Sequence, residues 1–513
     1  MRRFESKYLP ILPLSLSAAL ALPTLTSCAE KANAEETKPN IIFILCDDMG
    51  YGDLGSYGQP YISTPNIDSL ARRGVRFTQA YAGSPVSAPS RATLMTGQHS
   101  GHTHVRGNRE YWRNAPKVMY GDNEDYSVAG QEPYDSARVI IPEILKDNGY
   151  TTGLFGKWAG GYEGSESTPD KRGIDNFYGY ICQFQAHSYF PNFLNRYDPS
   201  EGDTAVVRVV MEDNILYPMF GEEYAGRSQY SADMIHNRAM DWIASQDSTK
   251  PFVAFLTYTL PHAELYQPDD SLLNIYREKF DEDFDWPGQK DSRYNATKDV
   301  HAQFAAMITR LDSYVGELMS LLDEKGIAEN TVIMFASDNG PHEEGGADPQ
   351  FFGRDGKLRG LKRQCYEGGI RIPFIVSWPG HIEEGVESDH QLAFYDIMPT
   401  LCDIAGIEMT DYIVGKPDGI SFMPTLTGKD QPLHDYLYWE FHETDQIAVR
   451  QGDWKMVVVE GEPRLYNLAD DISETNDVAS LYPEIVDKLV EIVYEAHVPS
   501  EIFKVTLPRK NSI

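Results

Sequence analysis

Two acidic pairs stand at the ends of apolar runs. Asn40-Ile41-Ile42-Phe43-Ile44-Leu45-Cys46 stops at Asp47-Asp48, and Thr331-Val332-Ile333-Met334-Phe335-Ala336-Ser337 stops at Asp338-Asn339. Unbroken apolar runs of this kind suit strands covered on both faces, and ligands gather at the carboxyl ends of such strands. Adjacent carboxylates repel one another unless a proton or a cation intervenes. Carboxylate and amide oxygens are the hard donors that calcium or magnesium takes, so Asp47, Asp48, Asp338 and Asn339 are candidate metal ligands. A third run, Phe252 to Tyr258, leads into Thr259-Leu260-Pro261-His262 and leaves an imidazole just past a strand end, well placed for proton transfer. A hydroxyl comes from the stretch Ser84 to Gly97, where Ser87 precedes Pro89 and Arg91. Pro89 suits a first helical position and Gly97 the residue just past a helix end. Ser87 then sits at a helix start, where free N–H groups favour an anion, and Arg91 offers a planar fork to an oxyanion.

The rest of the chain must hold these groups in place. Helical patterns over Thr64–Gly74, Ile141–Gly149, Tyr230–Ser245, His301–Gly326 and Tyr395–Ala405 alternate with strand-like runs at Val75–Tyr81, Tyr150–Trp158 and Phe374–Trp378, the last closing the sheet. The alternation predicts an α/β fold with a large, mostly parallel or mixed central sheet flanked by helices. From Asp435 onward, short runs at Ile447–Arg450, Lys455–Val459 and Arg464–Tyr466, then a helix from Pro483 to Val498, predict a smaller C-terminal lobe of antiparallel sheet plus helix. The expected boundaries are a leader over residues 1–28, a tether over 29–39, a catalytic domain over 40–430 and a C-terminal subdomain over 431–513.

Met1-Arg2-Arg3 and the proline-broken apolar run from Leu9 to Leu25 read as an export signal. Leu25-Thr26-Ser27-Cys28 resembles a bacterial lipobox, with Cys28 bearing the lipid; a cleaved secretory signal with an incidental cysteine is the alternative. The lipobox reading implies a periplasmic or cell-surface protein anchored to the outer membrane by lipid alone. The net charge of -32 argues against nucleic acid as a partner. Between Gly173 and Asn195, a run of tyrosines and phenylalanines with one imidazole suits the walls of a sugar pocket, and His187 is the expected contact. Arg106, in Gly101-His102-Thr103-His104-Val105-Arg106-Gly107-Asn108, and Glu344, Asp348 and His442 are further candidate substrate contacts. Glu367 and Arg371 read as a structural ion pair.

Ser87-Ala88-Pro89-Ser90-Arg91 resembles the signature of type I sulfatases of the alkaline phosphatase superfamily, in its serine form. The likeness runs in order through Asp47-Asp48, Gly156-Lys157-Trp158, His262, Asp338-Asn339 and the segment Leu358–Pro373 that holds Lys362. It implies that a maturase oxidises Ser87 to formylglycine before export, and that the hydrated aldehyde is the nucleophile. It implies one Ca2+ held by Asp47, Asp48, Asp338, Asn339 and the modified Ser87. Arg91, Lys157 and Lys362 would neutralise the sulfate, and His262 would protonate the leaving sugar oxygen. The family usually carries a histidine after the tryptophan that helps break down the sulfated intermediate; this chain has Ala159 there. His102, His104 or a metal-bound carboxylate are candidates to replace it. The implied activity is exo-acting hydrolysis of sulfate esters on glycans. The Gly-Lys-Trp-Ala-Gly, Gln185–Pro191 and Tyr438–Glu443 segments resemble a branch acting on galactose or N-acetylgalactosamine sulfates. Two alternatives stand beside it: a phosphomonoester or phosphodiester hydrolase of the same superfamily with Ser87 unmodified, and a non-catalytic glycan-binding lipoprotein.

Overall fold

Five parallel strands carry the groups singled out above. In sheet order they are Thr331–Ser337, Asn40–Cys46, Phe252–Thr257, Thr151–Lys157 and Asn176–Tyr180. The computed structural model describes residues 38–111, 130–211, 228–247, 249–280, 283–289, 294–354, 356–409, 412 and 417–510; the expected leader, Cys28 and nearly all of the expected tether lie outside them. Antiparallel strands extend the sheet on both sides, Arg371–Ser377 and then Gly74–Tyr81 on one flank, Phe193–Tyr197 and then Val207–Val210 on the other. Val386–Ser388 and Leu392–Ala393 pair in parallel with Gly74–Tyr81. Phe374–Trp378 was expected to close the sheet. Instead Arg371–Ser377 is interior and antiparallel, and its side chains are buried throughout.

The central strand Asn40–Cys46 shows why an unbroken apolar run is required. Ile42, Ile44 and Cys46 face one core cluster, built with the helices Ser231–Ser245 and Val300–Lys325, while Ile41, Phe43 and Leu45 face another, built with Ile141–Asp147 and Ile397–Ala405. Both faces are dry, so neither can alternate with polar residues. Its register with Thr331–Ser337 runs from Asn40 opposite Thr331 to Cys46 opposite Ser337. The two strands therefore end level, and their acidic pairs emerge side by side.

The helix Pro65–Arg72 has Thr64 before it, but the threonine side chain does not cap it. Asp312, far along the chain on Val300–Lys325, accepts from the N–H groups of Asn66 and Ile67 at 2.9 and 2.8 Å. The C-terminal lobe is a four-stranded antiparallel sheet, Leu437–Phe441, Gln446–Gln451, Trp454–Val459 and Glu462–Asn467, backed by the helix Pro483–Ala496.

Candidate active site

Ser87 opens the helix Ser87–Thr96, every residue of which is buried, and Gly97 ends it in the left-handed conformation at φ 64°. Pro89 is the third helical residue, not the first as expected. It still falls in the opening turn, where backbone N–H groups have no helical acceptor and a proline costs nothing. The Ser87 hydroxyl donates to Asp47 Oδ1 at 2.9 Å, and Asn108 Oδ1 accepts the Ala88 N–H at 3.3 Å.

Around that hydroxyl, buried carboxylates and buried cations interleave. Lys157 Nζ lies 2.6 Å from Asp47 Oδ2, and Lys362 Nζ lies 2.8 Å from Asp48 Oδ2. Arg91 pairs with Asp338 at 2.9 Å and donates to the Lys157 carbonyl. Lys157 reaches this point because Gly156, at φ 127°, lets the neighbouring strand come close: a Cβ there would sit 2.0 Å from the Thr257 carbonyl oxygen. Trp158 then fixes the strand end by donating from Nε1 to the Ser167 carbonyl at 2.8 Å.

Electrostatics follow from the geometry. Burial opposes charge on Asp47 and Asp48, yet Lys157 beside the first and Lys362 beside the second hold both below the usual carboxylate range. Asp338 is pushed up to about 6, by burial and then by Asp47 across the cluster. Burial lowers Lys362, but Asp48 and Glu344 outweigh it and the lysine stays charged.

Whether these residues suit a divalent cation can be tested on their own atoms. Asp47, Asp48, Asp338 and Asn339 are almost wholly buried. Asn339 Nδ2 donates to Asp48 Oδ1 at 2.7 Å, while its Oδ1 is buried and accepts no hydrogen bond among the described residues. An orphaned amide oxygen beside three carboxylates is a hard-oxygen donor set, the type that fits calcium.

His262 lies on the far side of Lys362. Its Nε2 is 3.0 Å from Lys362 Nζ and 3.3 Å from Asp48 Oδ2, and its Nδ1 contacts the Ala263 carbonyl. A carbonyl can only accept, so Nδ1 carries the hydrogen and Nε2 faces the cluster. The His187 ring stacks on His262 with centroids 4.6 Å apart. Its Nδ1 is buried without a partner among the described residues, and burial lowers its basicity well below the ordinary value.

The cluster thus unites Asp47, Asp48, Ser87, Arg91, Lys157, His262, Asp338, Asn339 and Lys362, with His187 against it. Two expected contacts fall elsewhere. Arg106 is buried in an ion pair with Glu440 at 2.6 Å and also donates to the Val498 carbonyl, so it ties the lobe to the main domain. His442 contacts the Lys504 carbonyl through Nδ1 at 2.6 Å and packs edge-on against Phe503. The two histidines weighed as replacements at Ala159 are each tied to a carboxylate, His102 to Asp418 at 2.9 Å and His104 to Glu132 at 3.0 Å. Glu367 and Arg371 do pair, at 3.3 Å. Glu344, one of the candidate sugar contacts, lies at the cluster's edge with Tyr294 and Arg363, to which the sequence assigned no role. Glu344 binds Lys362 at 3.0 Å, receives a hydrogen bond from Tyr294 at 2.9 Å and pairs with Arg363. The only sequence signal for Arg363 is its place beside Lys362.

Fold and site together define a hydrolase of anionic esters: a hydroxyl, fixed cations and a hard-cation site at the carboxyl ends of parallel strands. Residues 39–407 match the sulfatase family, and residues 360–497 match the C-terminal region of N-sulphoglucosamine sulphohydrolase. The chain belongs to the sulfatase family, and is a sulfuric ester hydrolase. It is 28% identical over 559 residues to an N-acetylgalactosamine-6-O-sulfatase of Bacteroides thetaiotaomicron, covering 95% of this chain and 98% of that one. It is 30% identical over 453 residues to the N-acetylgalactosamine-6-sulfatase of Rattus norvegicus, covering 85% and 74%. The crystal structure of Ps i-CgsB in complex with k-i-k-neocarrahexaose superposes with a TM-score of 0.68 at 28% identity, covering 90% of this chain and 92% of that one.

Proposed function

We propose that this chain removes sulfate from a terminal N-acetylgalactosamine or galactose of a glycan, with residue 87 as formylglycine and one calcium ion beside it. The observation that best supports the reading is the convergence of three buried cations, Arg91, Lys157 and Lys362, on the carboxylates around a single hydroxyl. Oxidised by a maturase, residue 87 supplies through its hydrated aldehyde a nucleophile that a serine lacking a strong base does not. Calcium held by Asp47, Asp48, Asp338, Asn339 and residue 87 supplies Lewis acidity toward a sulfate oxygen.

The chain's own side chains do the rest. Asp47 Oδ1, 2.9 Å from Ser87 Oγ, takes the proton from the hydroxyl at residue 87. With His102 and His104 tied elsewhere, the same carboxylate, once it has released the first proton to solvent, is the group in reach for the second hydroxyl proton. Arg91, Lys157 and Lys362 offset the charge that grows on the sulfate oxygens. His262, with its Nδ1 hydrogen held by the Ala263 carbonyl, acts in its doubly protonated form, giving the Nε2 proton to the departing sugar oxygen and leaving the neutral Nδ1–H ring. His187, Glu344, Arg363 and Tyr294 form the wall that meets the sugar. The export reading makes the enzyme a lipoprotein anchored through Cys28 at the outer membrane. The names of the two relatives support N-acetylgalactosamine as the sugar and its 6-position as the sulfated site.

Turnover on a panel of positional galactose, N-acetylgalactosamine and glucosamine sulfates tests the substrate class. Activity confined to glucosamine sulfates would overturn it. A general acid matters most for a poor leaving group. His262→Ala is therefore expected to lower kcat on sugar sulfates by about 10²–10⁴-fold, and to cost far less on nitrophenyl sulfate. Equal losses on both would remove His262 from that role. Metal binding has a readout independent of turnover. Calcium added to chelated protein at about 100 times its Kd is expected to raise stability by about 2.7 kcal/mol, seen as a higher thermal midpoint. Asn339→Ala is expected to weaken that response, and a midpoint indifferent to calcium would exclude the site.

A further inference from the structure

Asp48 differs from the other candidate metal ligands in its backbone. Its φ is 62°, in the left-handed region that residues other than glycine enter at a cost, and such conformations persist where the surroundings leave no alternative. The aim of its carboxylate depends on that turn. Oδ1 accepts from Asn339 Nδ2 at 2.7 Å and Oδ2 from Lys362 Nζ at 2.8 Å, so rotating the Asp48 peptide would carry both oxygens off their partners. The Asp48 N–H donates to Asp338 Oδ1 at 3.1 Å. Its carbonyl is held by a residue that no step above uses, Arg354.

Arg354 is sealed from solvent, and its donors are spent inside the protein. Nη2 donates to the Asp48 carbonyl and Nη1 to the His342 carbonyl, both at 2.9 Å. Nε faces the Asp53 carboxylate at 3.1 and 3.2 Å, and the guanidinium lies 4.0 Å over the Phe304 ring. His342 Nδ1 accepts the Glu344 N–H at 3.1 Å, so its Nε2 carries the hydrogen and donates to the carbonyl of Pro261, the neighbour of His262, at 3.3 Å. One planar fork therefore links the loops that follow Asn40–Cys46 and Thr331–Ser337, and through His342 the loop that follows Phe252–Thr257. The backbones close on one another at the same place. The Gly52 N–H donates to the Arg354 carbonyl at 2.8 Å, and a Cβ on Gly50 would stand 2.3 Å from that same oxygen.

A buried ion pair is by itself weak evidence for any role, and Asp53 would be served by any cation. What sets Arg354 apart is where its other two nitrogens go. One holds the carbonyl of a metal ligand, and the other holds the loop just past Asn339. A lysine is a single point charge on a flexible stem and cannot span three acceptors in a fixed plane.

We propose that Arg354 is a positioning residue for the cation site: its hold on the Asp48 carbonyl keeps that residue left-handed, with its carboxylate aimed between Asn339 and Lys362. This rests on the calcium reading above. The experiment titrates calcium chloride into chelated protein by calorimetry, using the parent, Arg354→Lys, the paired change Arg354→Met with Asp53→Asn, and Phe304→Leu. The paired change leaves no buried carboxylate without its cation, which guards against a variant that fails to fold. Both Arg354 variants are expected to raise the calcium Kd by about 10–100-fold, and their kcat/KM should return toward that of the parent as calcium is raised. Phe304→Leu removes the ring beneath the guanidinium and leaves both carbonyl bonds, so a lower thermal midpoint with a parental Kd is expected. A parental Kd in the Arg354 variants would overturn the role. So would an equal rise in Phe304→Leu, by tracing the effect to a general loosening of the core. A parent that binds no calcium would strike the metal reading instead, and a crystal structure of Arg354→Lys would still decide the positioning role. Asp48 at negative φ would sustain it, and an unchanged Asp48 would overturn it.

Discussion

Ser87→Ala is expected to lower turnover of sugar sulfates by about 10⁴-fold or more, with the fold unchanged. Among the described residues the side chain makes one hydrogen bond, to Asp47, and it does not cap the helix it opens, whose Ala88 N–H goes to Asn108. Its loss therefore leaves Asp47 still paired with Lys157. Removing a nucleophile commonly costs as much as removing its whole catalytic set, because the remaining groups have nothing to activate. The check is kcat/KM beside a thermal melt and a calcium titration of the same preparation. A variant that melts like the parent, still responds to calcium and turns over within tenfold of it would remove Ser87 from the chemistry.

The second large effect concerns stability. Lys455 Nζ lies 2.9 Å from Glu367 and 3.0 Å from Glu474, and all three side chains are sealed from solvent. Lys455 belongs to the C-terminal lobe, and Glu367 begins the short helix that follows Lys362 in sequence. Glu474 accepts the Glu367 N–H at 2.7 Å. Burial pushes Glu474 up to about 7, while Lys455 and Arg371 hold Glu367 down at about 2 against the same burial. Lys455→Met strips the cation from two buried carboxylates and is expected to cost about 3–5 kcal/mol, read as a lower unfolding midpoint in urea. Replacing the partners as well, with Glu367→Gln and Glu474→Gln, is expected to restore much of the loss, since uncharged groups carry a smaller burial penalty. A single Lys455→Met variant as stable as the parent would show that the triad holds nothing together. Because Lys362 lies only five residues before Glu367, a loosened interface should also raise KM.

The reacting groups were legible because parallel strands buried on both faces leave no choice of residue. Asn40–Cys46 and Thr331–Ser337 read as strands from apolar continuity alone, and the acidic pairs mark where each run stops. Level register between the two strands then does the assembly. What the sequence could not show is partnership over long separations. Arg106 looked like a pocket residue because it follows the Ser87 helix closely, yet Glu440, far along the chain, takes its guanidinium. The helix at Pro65 takes its N-terminal acceptor from Asp312, far along the chain, and not from Thr64 beside it. The pairing of Arg363 with Glu344 at the edge of the cluster follows no spacing rule. The two meet because the long connection between Thr331–Ser337 and Arg371–Ser377 folds back on itself.

The central claim is that residue 87 is no longer serine in the working enzyme. The direct measurement is mass spectrometry of the tryptic peptide Phe77–Arg91 from protein co-expressed with a maturase and purified in active form. A peptide lighter by two hydrogens, its fraction rising in step with specific activity across preparations, is the expected result. Intact serine in fully active enzyme would contradict the account.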